Sequence, residues 1–586
     1  MKIRHARKSP FLLAVFLFIS NVLVVDSSFA AQPRKILTGW IPYYQMKTSL
    51  PSALTNSDLI KEVMPFWYTL KITNGNVTIT DLYSPANPSV PMAEPLTAIR
   101  NAGYKIIPTI TDGTAKLALA KFLANPENRA KAVAAITNLI STNGFDGIDL
   151  DFENFAFLDG NASWPTTKPN WVLFVNELAA AVHAQQKLLS ITTPYLLDPA
   201  TGKQGYYVYA WAEISPVIDR LRIMTYDYSV SKPGPIGPLS WIEDTLSYAV
   251  KVIPASKIYL GLAGYGRDWV TSVSGVCPSN VASVVKVGAK AATFIMSDAV
   301  ALASSYGAVP TYNEQFGEVS FSYQKTYNGT TTSGLSTSCT ANRTAWYQDS
   351  RSYLARAQLV AKYRLGGVTA WTLGMEDPLA MSSIRQVATS ISPDEIVGNI
   401  AISAEELGYG QMATLSGIFT LADKAPVSAL PVKIEVKANN DQNWREVGQL
   451  ITNQDGNINT QILLGKNQQI RLRSEGTWER LEGISPAKNI KVKPVVSINV
   501  PISVLKSQLI SVTGNISSKI SAKINLEMFV GNKWKVVQST SSDENGNYLF
   551  NIGSSVPGFV KYRTNVLESD SLGAATSSVA VVVIRE

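Results

Sequence analysis

Eight short apolar runs punctuate residues 35–374. They are KILTGWIP (35–42), MPFWYTL (64–70), KIIPTIT (105–111), FDGIDLDF (145–152), LLSITTPYL (188–196), RLRIMTYDY (220–228), KIYLGLAGYG (257–266) and GGVTAWTLG (366–374). Between them lie stretches such as NRAKAVAAITNLISTN and NWVLFVNELAAAVHAQQ, whose apolar residues recur at three- and four-residue spacing and predict helices. Eight strand–helix units predict a closed (β/α)8 barrel of the TIM type, with its active site at the carboxyl ends of the strands. A doubly wound open sheet is the alternative. No Gly-rich phosphate loop follows the first run, as a nucleotide-binding version of that fold would require.

One connection departs from the rhythm. Residues 267–365 separate the seventh and eighth runs and hold a Ser/Thr/Gly-rich portion, both cysteines and the alternating stretch EVSFSYQKTYN. This predicts an insertion subdomain at about 270–345, on the barrel rim between strands seven and eight. After about residue 390 the helical pattern ends, and turns such as DGN and NGN separate short Val-, Ile- and Thr-rich runs. NWREVGQLITNQDGNINTQI and KWKVVQSTSSDENGNYLFNI align Trp444 with Trp534 and Gly456 with Gly546. Two all-β immunoglobulin-like sandwiches are therefore expected, at 391–495 and 496–586, after a barrel domain at 31–390. Trp444 and Trp534 are read as core tryptophans; sugar platforms are the other reading.

The fourth run raises a chemical question. Asp149, Asp151 and Glu153 alternate with Ile148, Leu150 and Phe152. A strand alternates its faces, so the three carboxyls share one side about 7 Å apart and the apolar residues share the other. If that face is buried, at least one acid keeps its proton near neutral pH, a property suited to acid–base chemistry. Asp146, off this alternation beside Gly147, is read as structural.

Composition narrows the rest. The 586 residues are 46% apolar and 16% charged, as in a packed globular protein. Residues 1–30 read as a secretory signal: Lys2, Arg4, Arg7 and Lys8, then FLLAVFLFISNVLVV, then SFA before Ala31. An uncleaved anchor is the alternative, disfavoured because Ser20 and Asn21 interrupt a run shorter than the roughly 20 residues of a span. Cleavage would remove those four basic residues and Asp26, lowering the formal charge of +8 by three. The expected location is outside the cell or on the wall, with no membrane association after cleavage. The sequence closes on VAVVVIRE, and no wall-sorting tail is expected. No Lys/Arg cluster points to nucleic acid. His183 would be the one histidine left, on a helix surface, so a His-based zinc site or Ser-His-Asp triad is disfavoured and hydrolysis should run on carboxylates. In an exported protein Cys277 and Cys339 are most simply a disulfide, worth roughly 4 kcal/mol for a loop of this length. Two buried thiols are the alternative.

DGIDLDFE resembles the D-G-x-D-x-D-x-E signature of glycoside hydrolase family 18 on its fourth barrel strand. The resemblance extends through 35–380: GWIPYY, PFWY, MTYDY, GLAGYG and TAWTLG fall on strands one, two, six, seven and eight. DFEN, PGPIGPLSW and GLAGYGRDW look closer to the branch acting on bacterial wall glycans than to large chitinases. The resemblance implies a retaining hydrolase of β-1,4-linked N-acetylglucosamine in chitin or peptidoglycan, with the substrate's acetamido oxygen as nucleophile and no cofactor or metal. Glu153 would be the general acid. Asp151 would orient the acetamido group, and Asp149 would share a proton with Asp151. Tyr226 would bond the acetamido carbonyl and Asp227 the same sugar. Trp371 would form the floor beneath that sugar, with Met224 nearby. Trp40, Tyr43 and Trp67 are candidate stacking aromatics, with barrel filler as their other reading. Ser229 stands where relatives often carry His. A binding-only protein on the same fold is the second hypothesis, against which Glu153 and both aspartates are intact. A divalent-metal site on one rigid strand fits poorly. A monomer is expected.

Overall fold

The computed structural model describes residues 32–586, so the expected signal at 1–30 lies outside the described residues. Eight parallel strands form the barrel: β1 (Leu37–Pro42), β2 (Ile60–Thr73), β3 (Thr109–Asp112), β4 (Gly147–Asp151), β5 (Leu188–Thr193), β6 (Arg220–Ile223), β7 (Ile258–Ala263) and β8 (Gly367–Trp371). Each pairs with the next, and β8 returns to β1, which closes the ring. Strands buried on both faces read as near-continuous apolar runs, which is why these segments stood out in the sequence.

The approach to β4 shows how local sequence aims the site. Helix Pro126–Asn143 opens with Pro126 at its first position and with the Asn125 side chain accepting the Glu127 and Asn128 N–H groups. It closes at Gly144 in the left-handed region, φ 62°. The chain then reverses into β4. There a Cβ on Gly147 would run into the Leu188 carbonyl of β5, so only glycine lets the two strands approach. Asp146 accepts from the Ile106 N–H at 2.9 Å, a structural contact at the strand's entry.

Directly after β7 the chain leaves the barrel for a five-stranded antiparallel sheet built from Tyr265–Gly275, Ala292–Ile295, Thr311–Asn313, Glu318–Thr330 and Ser336–Tyr347. Cys277 and Cys339 form a disulfide within it. The sheet is tied to the barrel rim by Glu318. This fully buried carboxylate accepts from the Ile236 and Gly237 N–H groups at 2.6 and 2.8 Å, and from Gln348 and Arg356.

Beyond residue 395 two sandwiches repeat one topology. Each pairs a three-stranded sheet with a larger, mostly antiparallel one that holds one parallel strand pair, over its own apolar core. Gly456 and Gly546 occupy equivalent turns at φ 74° and 85°. Trp444 and Trp534 are not core residues. Both lie half-buried on an outer sheet face, beneath the Arg471 and Arg563 guanidiniums at 4.2 and 4.4 Å from the ring centroid, and each arginine bonds a glutamate, Glu435 or Glu527. The apolar alternation after each tryptophan belongs to an edge strand whose outer positions stay exposed, and that misled the core reading. Among the described residues no helix is long and apolar enough to cross a membrane.

Candidate active site

At the carboxyl ends of the strands lies a cleft of about 650 Å³ whose walls include Trp40, Phe66, Asp112, Asp151, Glu153, Met224, Tyr226, Asp227 and Trp371. Ile148, Leu150 and Phe152 are fully buried on the helix side of β4, and Asp149 and Asp151 project into the barrel. Glu153 follows two residues beyond the strand end, half-buried on the cleft wall. The chain after Phe152 is pinned by the Tyr209 hydroxyl, which donates to the Phe152 carbonyl at 2.8 Å.

The three carboxyls have different surroundings. Asp149 is fully buried and accepts from Thr109 at 2.8 Å, Ser190 at 2.6 Å and Thr192 at 3.0 Å. Asp151 has one oxygen without a hydrogen-bond partner, and its carboxyl is bonded to that of Glu153. Burial, then the Glu153 and Asp149 charges, hold its pKa well above the usual carboxylate range. Glu153 is raised by burial and by Asp227, against the bond from Asp151 that lowers it. Three hydroxyls thus bond the Asp149 oxygens, and the Asp151 carboxyl meets that of Glu153.

The cleft floor is aromatic. Trp371 is half-buried between Trp40 and Phe66, edge-on to both, with centroids at 5.6 and 4.9 Å. Trp40 is nearly closed off, and its Nε1–H donates to the Thr109 hydroxyl that in turn donates to Asp149. Tyr226 and Met224 line the wall, half-buried. Burial, then Tyr265 and the nearby acids, push the Tyr226 phenol well up, so it stays a donor. Asp227 adopts a left-handed backbone, φ 61°, and one of its oxygens takes the Tyr265 hydroxyl at 2.5 Å and two Arg267 N–H groups at 2.9 and 2.6 Å.

Two expected aromatics stand elsewhere. Trp67 is fully buried in the main core against Tyr83, centroids 4.5 Å apart, because its strand position faces the helices. Its neighbour Phe66 takes the cleft face. Tyr43 packs half-buried on the main core, edge-on to Tyr44, and does not line the cleft. Sequence reasoning also missed Asp112, Asn154, Phe157, Tyr195 and Tyr206, which line the cleft. Asp112 carries a buried oxygen without a partner, and burial raises its pKa. Its place at the end of the third apolar run was the available signal. His183 sits on the surface and meets Asp219 at 2.9 Å, far from any role here.

The profile of the glycosyl hydrolases family 18 matches residues 37–376. Over 266 residues the chain is 24% identical to the cortical fragment-lytic enzyme of Bacillus subtilis, covering 44% of this chain and 54% of that protein. Over 307 residues it is 24% identical to a protein of Caenorhabditis elegans described as a probable endochitinase, covering 49% of this chain and 45% of that one. Both matches span about half the length of those relatives. A solved chitinase from Chromobacterium violaceum aligns with a TM-score of 0.47 at 24% identity, covering 60% of this chain and 98% of that one.

Proposed function

The chain belongs to family 18 of the glycosyl hydrolases, and from that membership we propose that it is an exported retaining enzyme cleaving β-1,4 bonds of N-acetylglucosamine-containing polymers, chitin or peptidoglycan. One observation carries this reading: a hydrogen-bonded Asp151–Glu153 carboxyl pair, with raised proton affinity, set in a cleft floored by Trp371. The names of the bacterial relative and of the nematode one point to cortical fragments and to chitin, and both peptidoglycan and chitin belong in the test.

The geometry supports the following division of labour. A sugar seated on Trp371 is held by Tyr226 and by the free oxygen of Asp227. Glu153 protonates the glycosidic oxygen, and the substrate's own acetamido oxygen attacks the anomeric carbon, forming an oxazolinium ion. Asp151 bonds the acetamido N–H and stabilises its developing charge. Water then opens the ring with Glu153 as base, so configuration is retained. An acid with a raised pKa is suited to this donor role.

The test is hydrolysis of chitooligosaccharides and purified peptidoglycan, side by side, by wild type and Glu153→Gln, with products weighed by mass spectrometry. Wild type should cleave one polymer, and the variant should lose about 10²- to 10⁴-fold in rate. If both proteins bind the polymers and neither cleaves them, the site is a sugar-binding one and the enzymatic reading falls.

A further inference from the structure

TIM-barrel interiors are filled by layers of side chains in which branched apolar residues dominate. This barrel places charges there. Arg222 of β6 is fully buried, and its guanidinium donates to Glu62 of β2 at 2.8 Å and to the Thr38 hydroxyl of β1 at 3.3 Å. Its Nε–H has no hydrogen-bond partner. That Nε lies 3.8 Å from the Asp149 carboxylate, too far for a hydrogen bond and close enough for a strong charge interaction.

The surroundings leave this cation a surplus. Glu62 is shared between Arg222 and Arg220; although burial opposes it, the two arginines hold its pKa down at about 2, so it is an anion at any working pH. Lys61, also against Glu62, is lowered to about 8 by burial. The Tyr259 ring of β7 lies 4.9 Å from the Arg222 guanidinium and adds no anion, because burial keeps its phenol protonated. One carboxylate thus faces two guanidiniums, and the next anion within reach of Arg222 is Asp149. Buried arginines without a full complement of acceptors are costly, and such cost is tolerated where function uses it.

We propose that Arg222 is a positioning residue for the acid pair: it keeps Asp149 a carboxylate throughout the cycle, so that the proton shared among the carboxyls stays with Asp151 and Glu153. The chain runs Glu62–Arg222–Asp149–Asp151–Glu153, from the barrel's interior to the cleft, with Asp227 on the far side of Glu153. Arg222 touches no substrate and acts through Asp149. This rests on the reading of Glu153 as the general acid.

Removing a nearby cation raises the proton affinity of every carboxyl in the group. The experiment is the pH–rate profile of wild type, Arg222→Lys, Arg222→Met and the double variant Glu62→Gln/Arg222→Met, on whichever polymer fragment wild type cleaves. In Arg222→Met the acid limb should move to higher pH by about one unit, the low end for a carboxylate losing an adjacent cation. The alkaline limb should move the same way by less. Arg222→Lys should restore the wild-type limbs. The double variant relieves the buried Glu62 charge, which would keep only Arg220; having lost an anion as well as the cation, it should carry a smaller upward shift if Arg222→Met does not fold. Unmoved limbs in a folded, active variant would overturn the proposal and leave Arg222 a scaffold residue, whatever its effect on thermal stability. A wild type that cleaves nothing at any pH would instead be a failure of the enzymatic reading.

Discussion

Phe66 stands edge-on to Trp371, with centroids 4.9 Å apart and planes at 78°. With Trp40 on another side, this holds the Trp371 ring as a fixed platform in the cleft. Trp67, the next residue in the chain, faces the opposite way into the core. The two tryptophans should therefore fail differently. Trp371→Ala is expected to lower kcat/KM by about 10-fold at the least, since a single methylene in an apolar pocket is already worth about 10- to 200-fold, with little change in unfolding midpoint. Trp67→Ala should cost about 3–5 kcal/mol of stability, as for a large core truncation, and leave the folded enzyme's KM near wild type. Urea unfolding and steady-state kinetics on both variants check this, and a swapped outcome would mean that the faces of β2 are misassigned.

Asp151 should work against stability. Its carboxyl binds a proton more tightly in the folded than in the unfolded chain. For a group with a raised folded pKa, stability is full below the ordinary carboxylate range and declines as pH rises toward the folded value. Wild type should thus lose stability above about pH 4, at up to about 1.4 kcal/mol per pH unit from this group alone. Asp151→Asn should flatten that slope, unfold later than wild type at pH 7, and hydrolyse far more slowly. Urea midpoints from pH 4 to 8 decide it; parallel slopes for the two proteins would sink the idea.

How much of this was legible beforehand follows from the range of the forces involved. The barrel strands are short-range apolar runs, and the Asp149–Asp151–Glu153 spacing is a period-two pattern within one strand, so both could be read along the chain. The facing of Phe66 and Trp67 could not, because the stretch of β2 around them, MPFWYTL, is apolar on both sides and offers no alternation to set its parity. Asp227 lies beyond the end of β6 at a positive φ, where strand alternation no longer says which way a side chain points. Arg222 and Glu62 are 160 residues apart in sequence, and only ring closure brings them together. Trp444 and Trp534 look like core residues until the sandwich face that carries them is known.

The insertion's anchor should be separable from the chemistry. Glu318 and Arg356 are both fully buried and 2.7 Å apart. Glu318→Ala leaves the guanidinium unpaired and frees the Ile236 and Gly237 N–H groups, which should cost about 3–5 kcal/mol. Activity should fall with it, because the loop that precedes Ile236 brings Val230 to the cleft wall. Replacing both partners with apolar residues of similar volume removes the unpaired charge, so Glu318→Leu/Arg356→Met should recover much of the unfolding midpoint. Equal destabilisation of the single and double variants would show that the backbone bonds, not the charge, hold the loop.

Asp227 and Arg267 offer a test in which two halves of one ion pair move a third group in opposite directions. The Asp227 charge raises the proton affinity of Glu153, and Arg267, bonded to one Asp227 oxygen at 2.6 Å, partly neutralises that charge. Arg267→Ala uncovers the carboxylate, so Glu153 should hold its proton to higher pH and the alkaline limb of kcat/KM should move up. Asp227→Asn removes the charge, so the same limb should move down. Both variants should lose rate, because the same carboxylate is proposed to hold the sugar, and rate loss alone therefore says little. The sign of the limb shift is the informative reading. Shifts of the same sign in both variants would mean that Asp227 acts on the sugar without acting on Glu153.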